Sequence, residues 1–452
     1  MDGINTGEPD MKKAKYYRKN PRPLPVRMGT VILRMSTAGL AVLLCVAAFL
    51  LLSTTGRIQN TEQIPQESVS QPAEEPFEPS QELEPETPST PPPDKPLESE
   101  PLPEPETASI TILGVGDNLI HDGIYKQANR RAGGTGYDFS PVYERVAPYI
   151  QQADVAVINQ ETPLAGDILP LSGYPRFNSP AELGDELVKI GFDVINHANN
   201  HILDQGEQGL RATLDTWDKK NAAVVGAYRS DADLENIRII EKNGIKTAHI
   251  GVTEMTNGLS LPKDSPYHIL LTKETDLLKR LVQKAKSMAD VVVVSVHWGT
   301  EYTHTPTQKQ QELAQNLVDW GADIIFGNHA HTLQPVAMLE RASDGAQCPV
   351  VYALGNFVSA QDRAMSMVGG MLQVTVEKEL QSGKISITDV RFEPIVTHYG
   401  DYFRDITIYP LEQYSEALAQ QHGVRQYDSP FSLSYIQNMV EQVIPEKYRS
   451  KD

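Results

Sequence analysis

The stretch ADIIFGNHAHTLQPV (Ala322–Val336) runs from a short apolar segment, Ile324-Ile325-Phe326, through Gly327 to two histidines one residue apart. A short apolar run bounded by turn residues reads as a buried strand. If the chain stays extended past Gly327, His329 and His331 project to one side, and the small Ala330 points away. Two imidazoles at a strand end then face a shared ion, or one ion each. Gly327 lets the backbone bend sharply just before them.

Six other runs share this character: SITILGVGD (Ser109–Asp117), ADVAVINQE (Ala153–Glu161), FDVINHANNH (Phe192–His201), TAHIGVTE (Thr247–Glu254), DVVVVSVHWG (Asp290–Gly299) and PVVYALGNF (Pro349–Phe357). Helix-like segments such as SPAELGDELVKIG (Ser179–Gly191) and TPTQKQQELAQNLVDWG (Thr305–Gly321) lie between them, with Pro180 and Pro306 suited to first turns. Strands that alternate with helices predict an α/β domain with a largely parallel sheet. The segment Gly369–Val396 reads instead as a hairpin turning at Ser382-Gly383, and the chain beyond Leu411 reads as helical and peripheral.

Charge is unevenly spread over the 452 residues. The net charge of −19 divides into +5 for residues 1–56, −11 for 57–108 and −13 for the remainder. An acidic folded region argues against nucleic acid as a partner. The two cysteines, Cys45 and Cys348, supply neither a disulfide framework nor a cysteine zinc site, so any metal must be held by His, Asp, Glu or Asn.

Five segments are expected. Residues 1–34 form a basic tail, and residues 35–56 carry no charge and are long enough to span a bilayer. The positive-inside rule keeps the tail cytoplasmic and the rest of this single-pass protein outside the cell membrane. A cleaved signal peptide is the rival reading. Residues 57–108, rich in Pro and Glu, form a disordered linker. A main domain over 109–400 and a helical extension over 401–452 complete the chain.

The strand ends carry the chemistry. Asp117 closes the first run, Glu161 the second, Asn199-Asn200-His201 follow the third, His297 closes the fifth, and His329 and His331 the sixth. Functional groups of open α/β sheets gather at the carboxyl ends of strands. Carboxylates, an amide oxygen and imidazoles together are a ligand mix for a pair of divalent ions.

Five motifs, GVGDNLIHDGI, INQETPL, FNSPAELGDELVKIGFDVINHANNHILDQG, SVHWGTEYTHTPTQKQQELAQNLVDWGADIIFGNHAHTLQPV and YALGNFV, together resemble the CapA-type poly-gamma-glutamate capsule-synthesis family of the calcineurin-like metallophosphoesterase superfamily. The resemblance spans Ile110 to Phe392 and implies a metallophosphatase-like layered α/β sandwich with central β-sheets. It implies two divalent ions of Mn, Fe or Zn type, with Asp117 and His331 on the first, Asn200, His297 and His329 on the second, and Glu161 bridging. His201 would be the catalytic histidine, oriented by Asp204 and Gly206. Asn356 in the LGNF loop, with Arg176 and Tyr302, would contact substrate. Three departures stand out: Asn118-Leu119 replace the first-metal Asp-x-His histidine, Gln160 replaces a leucine, and Asn328-His329-Ala330-His331 replaces His-His-Pro-His. His121 is the nearest substitute for the missing histidine. The implied partners are poly-gamma-glutamate or a phosphoester, with membrane synthase or export proteins. Metal-dependent phosphoesterase chemistry, amide-bond chemistry on the polymer, and a non-catalytic scaffold role in capsule synthesis or export all stay open.

Overall fold

A computed structural model describes residues 106–450. The basic tail, the apolar segment and the Pro/Glu-rich stretch through residue 105 lie outside the described residues. Among the described residues, no helix is long and apolar enough to cross a membrane.

In chain order the strands are β1 (Thr107–Asn118), β2 (Val155–Gln160), β3 (Val194–Asn196), β4 (Ala223–Val225), β5 (Ala227–Tyr228), β6 (Arg238–Lys242), β7 (Ile245–Thr253) and β8 (His268–Ile269). They continue with β9 (Val291–His297), β10 (Ile324–Asn328), β11 (Val336–Glu340), β12 (Gln347–Val351), β13 (Asn356–Val358), β14 (Val368–Glu379), β15 (Ile385–Gly400) and β16 (Arg404–Pro410). One sheet runs β16-β15-β14-β1-β2-β3-β4, with β13 also pairing β1; a second runs β11-β12-β10-β9-β7-β6. Both are mixed rather than purely parallel. Strands β1 to β4 are mutually parallel, as are β7, β9, β10 and β12, and antiparallel strands extend each set.

The two sheets face each other because their central strands are apolar on both sides. Along β9, Val291 and Val293 enter the core shared with β1 and β2, whereas Val292, Val294 and Val296 face the helices Thr275–Met288 and Gln308–Trp320. Strand β10 repeats the pattern with Ile324 and Phe326 inward and Ile325 outward. This is the period-two alternation of a strand covered on both faces. The sheets meet closely at Gly114, where a Cβ would lie 2.5 Å from the Phe326 ring. Helix Gln308–Trp320 begins not at Pro306 but at Thr307, whose hydroxyl caps Gln310 in a reciprocal capping box.

The expected hairpin forms between β14 and β15, turning through Gly383 at φ 71°. The expected boundary at residue 400 falls inside a sheet. Strand β16 pairs along β15, and Tyr414, Phe431, Ile436 and Tyr448 are buried in the same core as β1. The C-terminal segment is helical but not peripheral, because its apolar side chains cover the outer strands of the first sheet.

Phe326 is 1% exposed at the meeting of the sheets. Phe326→Ala is expected to cost about 3–5 kcal/mol of unfolding free energy by chemical denaturation. A loss below about 1 kcal/mol, the size of an ordinary substitution, contradicts a core shared by both sheets.

Candidate metal centre

The carboxyl ends of β1, β2, β3, β9 and β10 converge because parallel neighbours keep their ends level. Asp117 pairs in register with Asn159, Asn159 with Asn196, and His297 with Asn328. Two close backbone approaches join these ends to the loop before β13. A Cβ on Gly116 would sit 1.9 Å from the Gly355 carbonyl, which accepts the Asp117 N–H at 2.9 Å. A Cβ on Gly327 would sit 2.0 Å from the Tyr352 carbonyl. Gly327 is therefore required by a close approach within β10, not by a bend.

The two histidines are not on extended chain. Strand β10 ends at Asn328, and His329 and His331 have φ of 95° and 52°. Such left-handed conformations cost of order 1–3 kcal/mol each and persist only where the surroundings over-determine them. One restraint is visible: the His329 N–H points at both Asp117 oxygens, at 3.3 and 3.2 Å. The turn separates the imidazoles, so each joins a different cluster.

Two clusters of candidate ligands result, Asp117-Glu161-His331 and Glu161-His297-His329, each with its ligand atoms within 4.8 Å of one another. Glu161 belongs to both. Its carboxylate is fully buried, and neither oxygen has a hydrogen-bond partner. His329 Nδ1 is likewise buried and unpartnered. Asn200 joins the second cluster: its Oδ1 lies 3.0 Å from His297 Nε2, which is 3.6 Å from Glu161 Oε1. In the first cluster His331 Nδ1 faces two acceptors, Asn356 Oδ1 at 3.0 Å and Asp117 Oδ2 at 3.3 Å. Nδ1 therefore carries the hydrogen, and Nε2, 3.8 Å from Glu161 Oε1, is left as the donor atom.

Electrostatics of the bare cluster agree with a cation site. Burial, then repulsion from Asp117, pushes the Glu161 carboxyl well above the usual carboxylate range. Burial opposes charge on His331, but Glu161 and the bonded Asp117 outweigh it and hold its pKa up at about 10. Burial lowers His329 to about 4, with His331 adding to the effect, and keeps His297 well below the usual imidazole value, with His329 adding. His297 and His329 are thus held neutral beside a Glu161 carboxylate that nothing in the protein satisfies, and a divalent cation would take the place of the proton that His331 otherwise keeps.

Each predicted residue can now be placed. Asp117, Glu161, Asn200, His297, His329 and His331 come together. His201 stands beside them, with Nδ1 2.7 Å from Asp204 Oδ2, which also accepts the Phe177 N–H at 2.7 Å. The carboxylate fixes the hydrogen on Nδ1 and turns Nε2 away from Asp204. Of the polar run after β3, only Asn200 and His201 serve the site. His197 accepts the Trp217 indole N–H, and Asn196 and Asn199 bond to Asn159 and to the Gln160 carbonyl.

Asn356 was expected at the substrate, but it lies behind His331. It is 1% exposed, and its amide donates to Ser359, Gln361 and the Ser366 carbonyl while its oxygen orients His331. Arg176 is exposed beside Phe177, and its guanidinium makes no hydrogen bond or ion pair among the described residues. The Tyr302 ring lies beside His331, tilted by 38° with ring centroids 6.0 Å apart. His121 belongs to neither cluster; its Nδ1 faces the Leu119 carbonyl at 3.1 Å and the Ala360 N–H at 3.2 Å, and its ring packs perpendicular to Phe177. The departures at Asn118 and Gln160 form one chain: Tyr143 donates to Asn118, Asn118 to Gln160 at 2.6 Å, and Gln160 to Thr162. Leu119, where the histidine is missing, is buried.

Two contributors escaped the sequence reading. Asn159 donates to Asp117 Oδ1 at 2.7 Å and stands 3.3 Å from His297 Nδ1. Its spacing of two from Glu161 on a strand was the available signal. Asn257, left-handed at φ 51°, accepts from Asn200 at 3.4 Å and stands 3.5 Å from His201. A loop residue of this kind has no periodicity to reveal it.

The chain matches the family model described as bacterial capsule synthesis protein PGA_cap over residues 111–361, which takes in every candidate ligand. It is 33% identical over 267 residues to the capsule biosynthesis protein CapA of Bacillus anthracis, covering 57% of this chain and 61% of that one. It is 31% identical over 257 residues to the PGA biosynthesis protein CapA of Bacillus subtilis (strain 168), covering 55% and 64%. The aligned region thus spans less than two thirds of each relative. Among solved structures, a phosphatase from Mycoplasma pneumoniae aligns at 16% identity and a TM-score of 0.40, covering 64% of this chain and 95% of that one. With more than half of its length matched, the chain belongs to the bacterial capsule synthesis PGA_cap family.

Proposed function

We propose that this protein acts in poly-gamma-glutamate capsule synthesis or export, as a membrane-anchored protein whose folded domain lies outside the cell, and that it carries a dinuclear metal hydrolase site of phosphoesterase type. The observation that carries the chemical half is Glu161: one buried carboxylate, unpartnered at both oxygens, shared by two ligand clusters. The names of the Bacillus relatives support the biological half.

Asp117, Glu161 and His331 would hold one ion; Glu161, Asn200, His297 and His329 would hold the other. Divalent ions in such a pair supply Lewis acidity, lowering the pKa of water and neutralising charge on a phosphoryl or carbonyl group. The protein supplies position and a proton. The Asp204 carboxylate accepts the Nδ1 hydrogen of His201 and supports its imidazolium form, so that the Nε2–H would face substrate and pass its proton to a leaving oxygen, leaving neutral imidazole with its hydrogen on Nδ1. Phe177 meets the His201 ring edge-on at 4.8 Å and limits its rotation. Asn356 and Asn159 hold the His331 and Asp117 orientations from behind.

A polymer-holding scaffold without turnover is the second reading. The buried Leu119 favours it, because the first cluster then has one fewer nitrogen ligand than the resemblance implies.

Metal analysis of protein purified under mild conditions is expected to find two divalent ions per chain, with both lost in Glu161→Gln. Absence of bound metal, together with no thermal shift on adding Mn²⁺ or Zn²⁺, refutes the centre. His201→Ala should keep both ions and lose about 10²- to 10⁴-fold in turnover of an activated phosphodiester. Equal turnover removes His201 from the chemistry. If polymer production in cells survives that substitution, the scaffold reading gains.

The two ions should also respond differently to their supports. Asn356→Ala is expected to weaken the ion at His331 by about 10- to 100-fold and spare the other, giving biphasic titration by calorimetry. A uniform loss of both contradicts its placement behind one cluster.

A further inference from the structure

Beside the first cluster the structure holds an arginine that the metal-site chemistry does not use. The Arg363 guanidinium carbon lies 4.0 Å over the centre of the Tyr302 ring, and that ring lies 6.0 Å from the His331 ring. Arg363 is exposed and makes no ion pair among the described residues, although the folded region is strongly acidic.

Its platform is firmly built. Tyr302 adopts a left-handed backbone at φ 61°, and its N–H donates to the carbonyl of Ala330, between the two ligand histidines, at 2.8 Å. Its hydroxyl accepts from Gln361 Nε2 at 3.3 Å, Gln361 Oε1 accepts from Asn356 at 2.9 Å, and Asn356 orients His331. The arginine's own backbone is tied down as well: the Ser366 N–H donates to the Arg363 carbonyl at 3.1 Å, and the Ala364 N–H to Asp428 at 2.9 Å. The Glu301 side chain accepts a hydrogen bond from the Tyr302 phenol and holds the ring in place. The ring covers one face of the guanidinium and leaves its N–H edge free, which is the geometry that grips a carboxylate or phosphate with two parallel hydrogen bonds.

We propose that Arg363 and Tyr302 form a seat for a second anionic group of the substrate, a carboxylate or phosphate lying next to the group held at the first metal cluster. This rests on the reading of that cluster as a metal site. It makes the preferred ligand multiply anionic: a chain of γ-linked glutamates, with one free carboxylate per residue, or an ester with further phosphates. Arg363 supplies the charge and the N–H donors, and Tyr302 supplies the ring face on which the guanidinium rests.

Calorimetric binding of a γ-linked glutamate oligomer and of inorganic pyrophosphate to the metal-loaded full-length protein tests this. Arg363→Met is expected to weaken a ligand that uses the seat by about tenfold, the size of one lost charge-assisted contact. Arg363→Lys should recover part of that loss, and Arg130→Met, at an exposed position of helix Asp122–Arg131, should change nothing. Loss confined to the oligomer identifies a carboxylate ligand, and loss confined to pyrophosphate a phosphate ligand. Unchanged binding of both in Arg363→Met, or no binding of either by the wild type, overturns the seat. Metal content measured on the same samples separates the two ideas. Wild-type protein without metal that still binds an oligomer through Arg363 removes the dinuclear reading and keeps the seat.

Discussion

Glu161 places two carboxylate oxygens without hydrogen-bond partners in a pocket closed to solvent, next to a second carboxylate at Asp117. The net penalty for burying a single ion of this kind is several kcal/mol. The surroundings do not relieve it: Gln160, Thr162 and Asn118, the polar groups nearest in sequence or register, satisfy one another instead. His331 alone answers the negative charge, by retaining a proton between two carboxylates. A site built this way is costly without a counter-charge, and a cation would relieve that cost.

Backbone geometry maintains that arrangement. Gly116 and Gly327 let the segment from Tyr352 to Gly355 pass within contact of two strand ends, closer than any side chain would permit. The turn after β10 then carries both histidines in left-handed conformations, and the Asp117 carboxylate holds the first of them through its backbone N–H. Left-handed backbone recurs at His329, His331, Tyr302 and Asn257, all in loops around the ligand clusters. The positions with the least freedom are those that aim ligands and the proposed substrate seat.

The departures from the family pattern have different structural consequences. Asn118 and Gln160 complete each other in a buried, satisfied chain that anchors β1 to β2 beneath the site, so they keep Glu161 in place. Leu119 does not compensate for the histidine it replaces, and His121 is engaged with Ala360 and Phe177 rather than with either cluster. The first candidate cluster therefore offers two carboxylates and a single imidazole on this chain. The nearby mouth carries the arginine and tyrosine that would recognise charge on a ligand.

Much of this was legible before any fold was known. Short apolar runs ending in Asp117, Glu161, His297 and the His329-His331 pair marked the strands and the ligands together, because an apolar run and its terminus are local properties. The hairpin at Gly383 was legible for the same reason. Three-dimensional proximity was not. Whether His329 and His331 share an ion depends on the turn between them, and the turn is imposed by contacts with Asp117 and with the chain at Tyr352. Asn356 looked like a mouth residue until β13 paired beside β1 and set it behind His331. The segment beyond residue 400 looked like an appendage until β16 joined β15. Residue types and their spacing set which groups are available; only the packing of distant segments decided where they point, since those directions are fixed by close backbone approaches between parts of the chain far apart in sequence.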